Sequence, residues 1–198
     1  MLKKDAEQTY DKGLTKFLKG GYACGEFQYI NGSGDSLVSW NWVANVGTTA
    51  SNSNGSITST VQANTTAGFS IVQYTGTGSN ATVGHGLSLQ PKWILFKNLD
   101  NASEGWSTYH TSLTSAAYIV TLNNANAQAS SATDFNSTAP TSTVFSVGTN
   151  ARTNNSSQNI VAYCWHEVDG FRSLENMLEI LVQTDHLCTQ DLNQHMLW

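Results

Sequence analysis

The sequence predicts an all-β protein, an antiparallel β-sandwich of the jelly-roll type, with a short helical appendage at each end of the chain. Two observations carry this prediction. Apolar and polar side chains alternate over short runs such as Phe69 to Tyr74, and a period of two residues is the period of a β-strand. Only 12% of the 198 residues are charged, and the Ser, Thr, Asn and Gly that replace them favour strands and turns over helices.

Short apolar runs separated by polar turns mark the predicted strands. These runs are Leu37 to Val43, Ile57 to Val61, Phe69 to Tyr74, Pro91 to Phe96, Gly105 to His110, Ala117 to Leu122, Thr143 to Val147 and Asn159 to Trp165. No helical pattern lies between them, and parallel strands would need crossover helices, so we expect antiparallel pairing. Four tryptophans within the runs are predicted to be core residues, namely Trp40, Trp42, Trp93 and Trp165.

Glycines mark the predicted turns in the middle of the chain. Thr75 to Gly78 forms one such link, and Gly84 and Gly86 form a second beside Thr82 and Val83. Glycine tolerates the positive φ angles that tight turns require. We therefore interpret both stretches as turns between strands.

The N-terminal 21 residues differ from the rest of the chain because they hold five of its nine basic residues. Apolar residues between Ala6 and Leu18 follow a roughly helical spacing, and Gly20-Gly21 supplies a stop signal. The interpretation is a short amphipathic helix or a poorly ordered segment over residues 1–21.

An internal repeat divides the chain into domains. Tyr22 to Trp42 aligns without a gap on Phe145 to Trp165, at a constant offset of 123 positions. The coinciding pairs are Gly25 with Gly148, Asn31 with Asn154, Ser33 with Ser156, Val38 with Val161 and Trp42 with Trp165. We therefore predict that residues 22–47 are the closing strands of a preceding repeat and residues 55–171 one sandwich module; the alternative is two similar hairpins that arose by chance.

Charge and cysteine content argue against several partners. The formal net charge is -5 without a basic stripe, so we expect no nucleic acid partner. No apolar run is long enough for a membrane helix, so we expect no membrane insertion. Cys24, Cys164 and Cys188 have no metal-ligand spacing and are interpreted as free thiols of a protein made in a reducing cytosol.

A candidate glycan-binding platform lies around the sequence GWSTYH. Its aromatic members are Trp106, Tyr109 and His110, on which a sugar ring would stack, and its polar members are Asp100, Asn101 and Glu104, which would bind the hydroxyls. The alternative is simple strand alternation, with Trp106 inside the sandwich and Tyr109 outside.

Evidence for catalysis or for a metal is weak. Glu167 and Asp169 lie two residues apart at a strand end, where jelly-roll glucanases carry Glu-x-Asp-x-x-Glu. The third position here is Arg172, so a solvated strand end is the alternative. His85 and His110 have no ligand at a metal spacing, and we predict no metal and no cofactor.

Five stretches carry a family resemblance. They are GDSLVSWNW (34–42), residues 55–87, PKWILFKN (91–98), APTSTVFSVGTN (139–150) and IVAYCWHEVDGF (160–171). Over about residues 30–171 the chain resembles an uncharacterised domain family of phage virion proteins, common in marine phages and associated with concanavalin-like or laminin-G-like jelly rolls.

This resemblance implies a non-enzymatic structural protein of the virion, made in the host cytoplasm and forming a module of a tail fibre or related appendage. The implied partners are other virion proteins or further copies of the chain, a trimer by analogy with fibres. The first alternative is a lectin-like module that binds a host cell-surface glycan. The second is a glycan hydrolase that uses Glu167 and Asp169.

The C-terminal tail departs from the family pattern at Arg172. Residues 172–198 have a helix-like spacing, yet permitted codons let the neighbouring frame read KFGKYVGNSSTDGPFVYTGFKPAYVM, the continuation the family leads us to expect. Our hypothesis is that residues 172–198 are an out-of-frame translation. His186, Cys188 and His195 should then not be interpreted as a metal site.

Overall fold

The computed structural model describes residues 12–18, 21–37, 39–44 and 47–169. These residues belong to two compact units, one within Asp5–Trp42 and the other within Val43–Trp198. Within the described residues the regular structure is antiparallel β-sheet with two four-residue helices. The predicted all-β antiparallel class is therefore confirmed.

The elements of the first unit are β1 (Leu14–Leu18), β2 (Gly21–Cys24) and α1 (Gln28–Asn31). The second unit contains β3 (Ala50–Asn52), β4 (Ser59–Asn64), β5 (Phe69–Thr75), β6 (Ala81–Gly84), β7 (Trp93–Asn98), β8 (Ser107–His110), β9 (Tyr118–Thr121), β10 (Ala129–Ser130), β11 (Val144–Val147), α2 (Ala151–Asn154) and β12 (Asn159–Trp165).

The first unit corrects two predictions. Residues 14–18 form a strand paired with β2 rather than the predicted N-terminal helix, because Thr15 and Phe17 suit a strand and so short a helix is marginal in water. No strand is assigned in the described part of Leu37 to Val43. Trp40 and Trp42 are 56% and 42% exposed, so their prediction as core residues is wrong.

Seven of the predicted strands are present in the second unit; β12 has the predicted bounds, and the other six differ at one or both ends. Alternation missed three short strands, β3, β6 and β10. The stretch around Thr82 and Val83, predicted as a turn, is strand β6, because it pairs with β11. Two-residue and three-residue strands such as β10 and β3 are too short for a period of two to be recognised.

One large sheet organises the second unit. Its strand order is β10-β9-β8-β7-β12-β5-β4-β3, and every pairing is antiparallel. β12, the last strand among the described residues, lies between β5 and β7 and pairs with both along its length. A sandwich follows from the second layer, formed by β6 and β11. The jelly-roll connectivity predicted within that class is not confirmed.

The main core lies between the eight-stranded sheet and the pair β6-β11. We call the sheet face turned toward β6 and β11 the inner face. It contributes Val72, Ile94, Phe96 and Ile160, which pack on Val83, Phe145 and Val147 of the second layer. Phe96 contacts Phe145 edge to face, with ring centroids 5.3 Å apart. Burial of these rings from water is the main source of stability of the sandwich.

The opposite, outer face carries a second apolar cluster. Trp93 and Trp165 stack with ring centroids 4.1 Å apart, and Phe69 stacks on Trp165 at 5.1 Å. All three residues are buried, so the core prediction for Trp93 and Trp165 is confirmed. The three rings occupy neighbouring strands in one cross-strand row, Phe69, Trp165 and Trp93. Apolar residues on both faces explain why the central strands read as nearly continuous apolar runs.

We predict that Phe96→Ala lowers the free energy of unfolding by about 3 to 5 kcal/mol, because it removes a fully buried ring and leaves a cavity. Urea unfolding followed by tryptophan fluorescence measures the change. Leu89→Ala is the control, since Leu89 is 55% exposed, and its transition should stay near that of the parent. Equal effects of the two substitutions would contradict the assigned core.

Candidate functional site

The three aromatic residues of the predicted glycan platform do not form one surface. Tyr109 points to the inner face and packs edge on to Phe135, with centroids 5.6 Å apart, and burial raises the pKa of its hydroxyl. His110 is buried on the outer face opposite Trp93. Trp106 is half-buried. The alternative, simple strand alternation, therefore describes this stretch. It places Tyr109 inside the sandwich, whereas the sequence had suggested that Tyr109 lies outside.

The polar members of that platform fasten a loop. Asp100 accepts hydrogen bonds through Oδ2 from Asn159 N at 2.7 Å and from Asn159 Nδ2 at 3.0 Å. Asn101 Oδ1 accepts from Ser103 N at 3.0 Å. The Asn101 side chain shapes the connection between β7 and β8, and the Asp100 side chain holds it against the start of β12. Glu104 lies in the same loop and contributes its backbone carbonyl, which accepts from Lys97.

Lys97 lies at the centre of this loop, and sequence reasoning missed it. Its Nζ donates to the carbonyl oxygens of Asn98 at 2.9 Å, Asn101 at 3.3 Å and Glu104 at 2.9 Å. Burial lowers the pKa of the ammonium, and the Glu104 carboxylate partly opposes that effect. The signal in the sequence was a lysine inside the apolar run WILFKN. Three carbonyl partners compensate a buried ammonium and fix the loop.

Asp134 and Arg152 form a buried ion pair that the sequence did not reveal. Arg152 Nη2 donates to Asp134 Oδ2 at 2.9 Å, and Nε donates to Oδ1 at 3.2 Å. Ser107 Oγ donates to Oδ1 at 3.1 Å, and Ser131 Oγ donates to Oδ2. The fully buried carboxylate thus receives four hydrogen bonds. The pair links the loop after β10 to helix α2 and to β8.

Helix α2 is a second internal fastening point. Asn154 is fully buried; its Oδ1 accepts from Thr77 N at 2.8 Å, and its Nδ2 donates to Ser79 O at 2.6 Å and Gly148 O at 2.7 Å. Tyr74 donates its hydroxyl to Thr153 O at 2.5 Å, and burial raises the pKa of that hydroxyl well above its usual range. α2 is therefore held to β5 and to the link between β5 and β6.

His85 is a core histidine. Its Nδ1 accepts from Leu87 N at 3.1 Å, so the ring proton lies on Nε2, which faces Thr141 O at 3.3 Å. Burial lowers the pKa of the imidazole to about 4; the Thr141 carbonyl raises it and His166 lowers it further. The ring is neutral at pH 7. His85 lies between Gly84 and Gly86, directly after β6, and its side chain is inside the fold.

Cys164, Glu167 and Asp169 carry three further side chains that could react. Cys164 is buried in the main core, and burial raises the pKa of its thiol while Ser70 partly opposes that rise. Glu167 is half-buried and Asp169 exposed, directly after β12. The third position of the glucanase pattern, Arg172, lies outside the described residues, as do Cys188, His186 and His195.

No group of three or more His, Cys, Asp or Glu side chains within the described ranges is arranged to hold a metal ion. No helix in the described part of the chain is long and apolar enough to span a bilayer. The pocket lined by Phe96, Tyr109, Phe135 and Phe145 is too small for a water molecule, so this part of the core is closely packed.

Comparison with known proteins gives one result. The chain belongs to the family described as Domain of unknown function (DUF7483), whose model matches residues 2–176. No curated protein shows significant similarity to the chain, and no solved structure does. The family match includes the described residues of both units.

We predict that Asp134→Ala lowers the free energy of unfolding by about 3 kcal/mol, because it leaves the Arg152 guanidinium without its buried partner. Urea denaturation measures the loss. Glu26→Gln is the matched control, because it breaks the ion pair between Glu26 Oε2 and Lys12 Nζ, which are 3.6 Å apart. The side chain of Glu26 is 87% exposed and that of Lys12 is 70% exposed. Such a surface pair contributes little. A neutral Asp134→Ala would refute a fastening role.

The second site prediction concerns pH. Because the folded-state pKa of His85 is about 4 and the unfolded value is about 6.5, the unfolded state binds the proton first as the pH falls. Stability is complete above pH 6.5 and declines between pH 6.5 and 4, by up to roughly 3 kcal/mol. Denaturation of the parent and of His85→Gln across this range tests the assignment. The variant should be less stable at pH 7 and have a shallower slope; parallel slopes would contradict it.

Proposed function

We propose that the protein is a non-enzymatic structural component of a phage virion and forms a β-sandwich module of a tail fibre or related appendage. One observation carries the non-enzymatic part of the proposal. In the described part of the chain, Asp134, Arg152, Lys97 and His85 direct their polar atoms to internal hydrogen bonds. Groups committed in this way stabilise loops and are not available to a substrate.

The composition of the surface also supports a structural module. Most exposed polar residues of the sandwich are Ser, Thr and Asn, and only six charged residues lie between Ser36 and His166: Lys92, Lys97, Asp100, Glu104, Asp134 and Arg152. Three of these six are used inside the fold, Lys97, Asp134 and Arg152. A surface with few charges allows close approach of other modules without strong repulsion.

The virion assignment depends on the resemblance of residues 30–171 to phage virion proteins. In this proposal the partners are other virion proteins or further copies of the chain, and a fibre would be trimeric by analogy. The glycan-binding alternative loses support at its predicted residues, because Tyr109 and His110 are buried on opposite faces of the sheet. A hydrolase would have to work with the Glu167 and Asp169 pair alone.

The decisive experiment is mass spectrometry of virions purified by density gradient from the phage that encodes the chain. We expect peptides from residues 47–169 at a copy number typical of an appendage, and loss of these peptides together with the appendage when the gene is deleted. Peptides confined to the infected-cell lysate, with none in the virion, would refute the proposal.

Two further measurements separate the alternatives. A glycan array probed with the full chain should give no specific signal; binding that is abolished by Trp106→Ala would favour the lectin function instead. Incubation with β-glucans should give no reducing ends. Turnover that is lost in both Glu167→Gln and Asp169→Asn would show an enzyme.

A further inference from the structure

The first unit repeats several hydrogen bonds of a segment of the sandwich, although β2 pairs with β1 whereas its counterpart β11 pairs with β6. Gly25 N donates to Gly13 O at 2.9 Å, and Phe27 N donates to Lys12 O at 3.1 Å. In the sandwich, Gly148 N donates to Asp134 O at 3.0 Å, and Asn150 N donates to Thr133 O at 3.1 Å. Gly25 and Gly148 occupy equivalent positions in the two segments. At both, a Cβ would collide with the opposing backbone, of Lys12 or of Thr133, which explains the glycine.

The elements coincide as well. With a shift of 123 positions, β2 (Gly21–Cys24) coincides with β11 (Val144–Val147), and α1 (Gln28–Asn31) coincides with α2 (Ala151–Asn154). The first and last residues agree for both elements. A sequence echo that arose by chance would not reproduce the bounds of two elements. Residues 21–31 therefore have the fold of the segment from β11 to α2.

One side chain shows what this segment lacks. Asn31 Nδ2 donates to Gly25 O at 3.2 Å, as Asn154 Nδ2 donates to Gly148 O at 2.7 Å. Asn154 also binds the backbone of Thr77 and Ser79 and is buried. Asn31 is exposed, and among the described residues of its unit no counterpart of that loop contacts it. Its amide is positioned for a β5-β6 link that has no counterpart among the described residues of the first unit.

The ion pair of the sandwich is replaced at both ends. Gly13 stands at the position of Asp134, and Tyr29 stands at the position of Arg152. An unpaired buried charge would be costly in either place. Because neither charge is present, the segment can pack in a sandwich without leaving one buried charge unpaired.

Residues 36–42 correspond to β12, the central strand of the sheet. In the sandwich, this strand pairs with β5 on one side and β7 on the other, and Ile160 and Trp165 are 0% and 3% exposed. The equivalent Leu37 and Trp42 are 54% and 42% exposed. A segment with the apolar residues of a sheet centre thus exposes Leu37, whose counterpart Ile160 is fully buried, and no strand is assigned among its described residues.

We propose that residues 21–42 close a second sandwich of this fold, and that residues 36–42 insert as the central strand of a module that precedes this one in a head-to-tail array. The β3 to β10 part of that preceding module is the occupant that covers residues 36–42. This inference concerns assembly and does not depend on the virion assignment.

The test is a chimera in which a second copy of residues 47–142 is joined directly to Gly20 of the chain. Gly20 is the junction because it aligns with Thr143, the residue that follows the copied segment in the sandwich. Asp134 of the added copy needs a cation at residue 29, the counterpart of Arg152. The chimera therefore carries Tyr29→Arg, which restores the ion pair. We expect a monomer with two sandwiches, in which the amides of residues 36–42 exchange at least about 100-fold more slowly than in the parent chain. Trp40 and Trp42 fluorescence should shift to shorter wavelength.

Ser39→Pro provides the matched control. Ser39 corresponds to Ala162, in the middle of β12 and paired on both sides, where proline breaks the sheet. The substitution should abolish the slow exchange in the chimera and leave the unfolding transition of the parent unchanged. A third protein, with the complete residues 47–169 placed before the chain, shows that an added module can fold in this position.

Three results would overturn the proposal. Fast exchange of residues 36–42 in the chimera, while the third protein folds as two sandwiches, would show that the segment does not close a module. Insensitivity of the chimera to Ser39→Pro would show that residues 36–42 are not a central strand. A parent chain that already dimerises with residues 36–42 protected would assign the strand to a second copy rather than to a preceding module.

Discussion

The sandwich depends on the insertion of β12 between β5 and β7. This one strand forms two ladders, seven residue pairs with β5 and six with β7. Without it the large sheet would separate into β3 to β5 on one side and β7 to β10 on the other. Because β12 is the last strand described in the chain and its neighbours lie far earlier, the sheet can be completed only after long loops have closed. Such non-local pairing makes folding slow and leaves strand edges exposed until the final strand arrives.

The buried polar residues hold β12 and the helix before it in place. Asp100 holds the start of β12 through Asn159, and α2, which precedes β12, is fixed by Asn154, Arg152 and the Tyr74 hydroxyl. A buried polar group must be paired, and a pair between distant segments has one favourable geometry. The protein therefore uses few charges, but several of them set the position of loops that flank its central strand.

The candidate glycan site illustrates the limit of sequence reasoning about function. Trp106, Tyr109 and His110 are neighbours in the chain, and their types suit a sugar platform. Tyr109 and His110 are separated by the pleat, which sends one ring into the main core and the other to the outer face. The ion pair of Asp134 with Arg152 comes from a meeting of distant segments, and the three carbonyl bonds of Lys97 come from a loop conformation. Asp134 and Arg152 carry no local pattern that would distinguish them from surface charges, and Lys97 is marked only by the apolar run WILFKN.

The sequence by itself determined the all-β antiparallel class, most strands of the sandwich, the buried Trp93 and Trp165, and the echo between residues 22–42 and 145–165. These follow from local periodicity and from residue identity, which each segment carries alone. The tertiary structure decided that β12 takes the centre of the sheet, that Val83 belongs to a strand, that residues 14–18 pair as a hairpin and that Trp40 and Trp42 are exposed. Strand order and burial depend on which partner segment is present. The hydrophobic periodicity of a segment does not identify the strand with which it will pair.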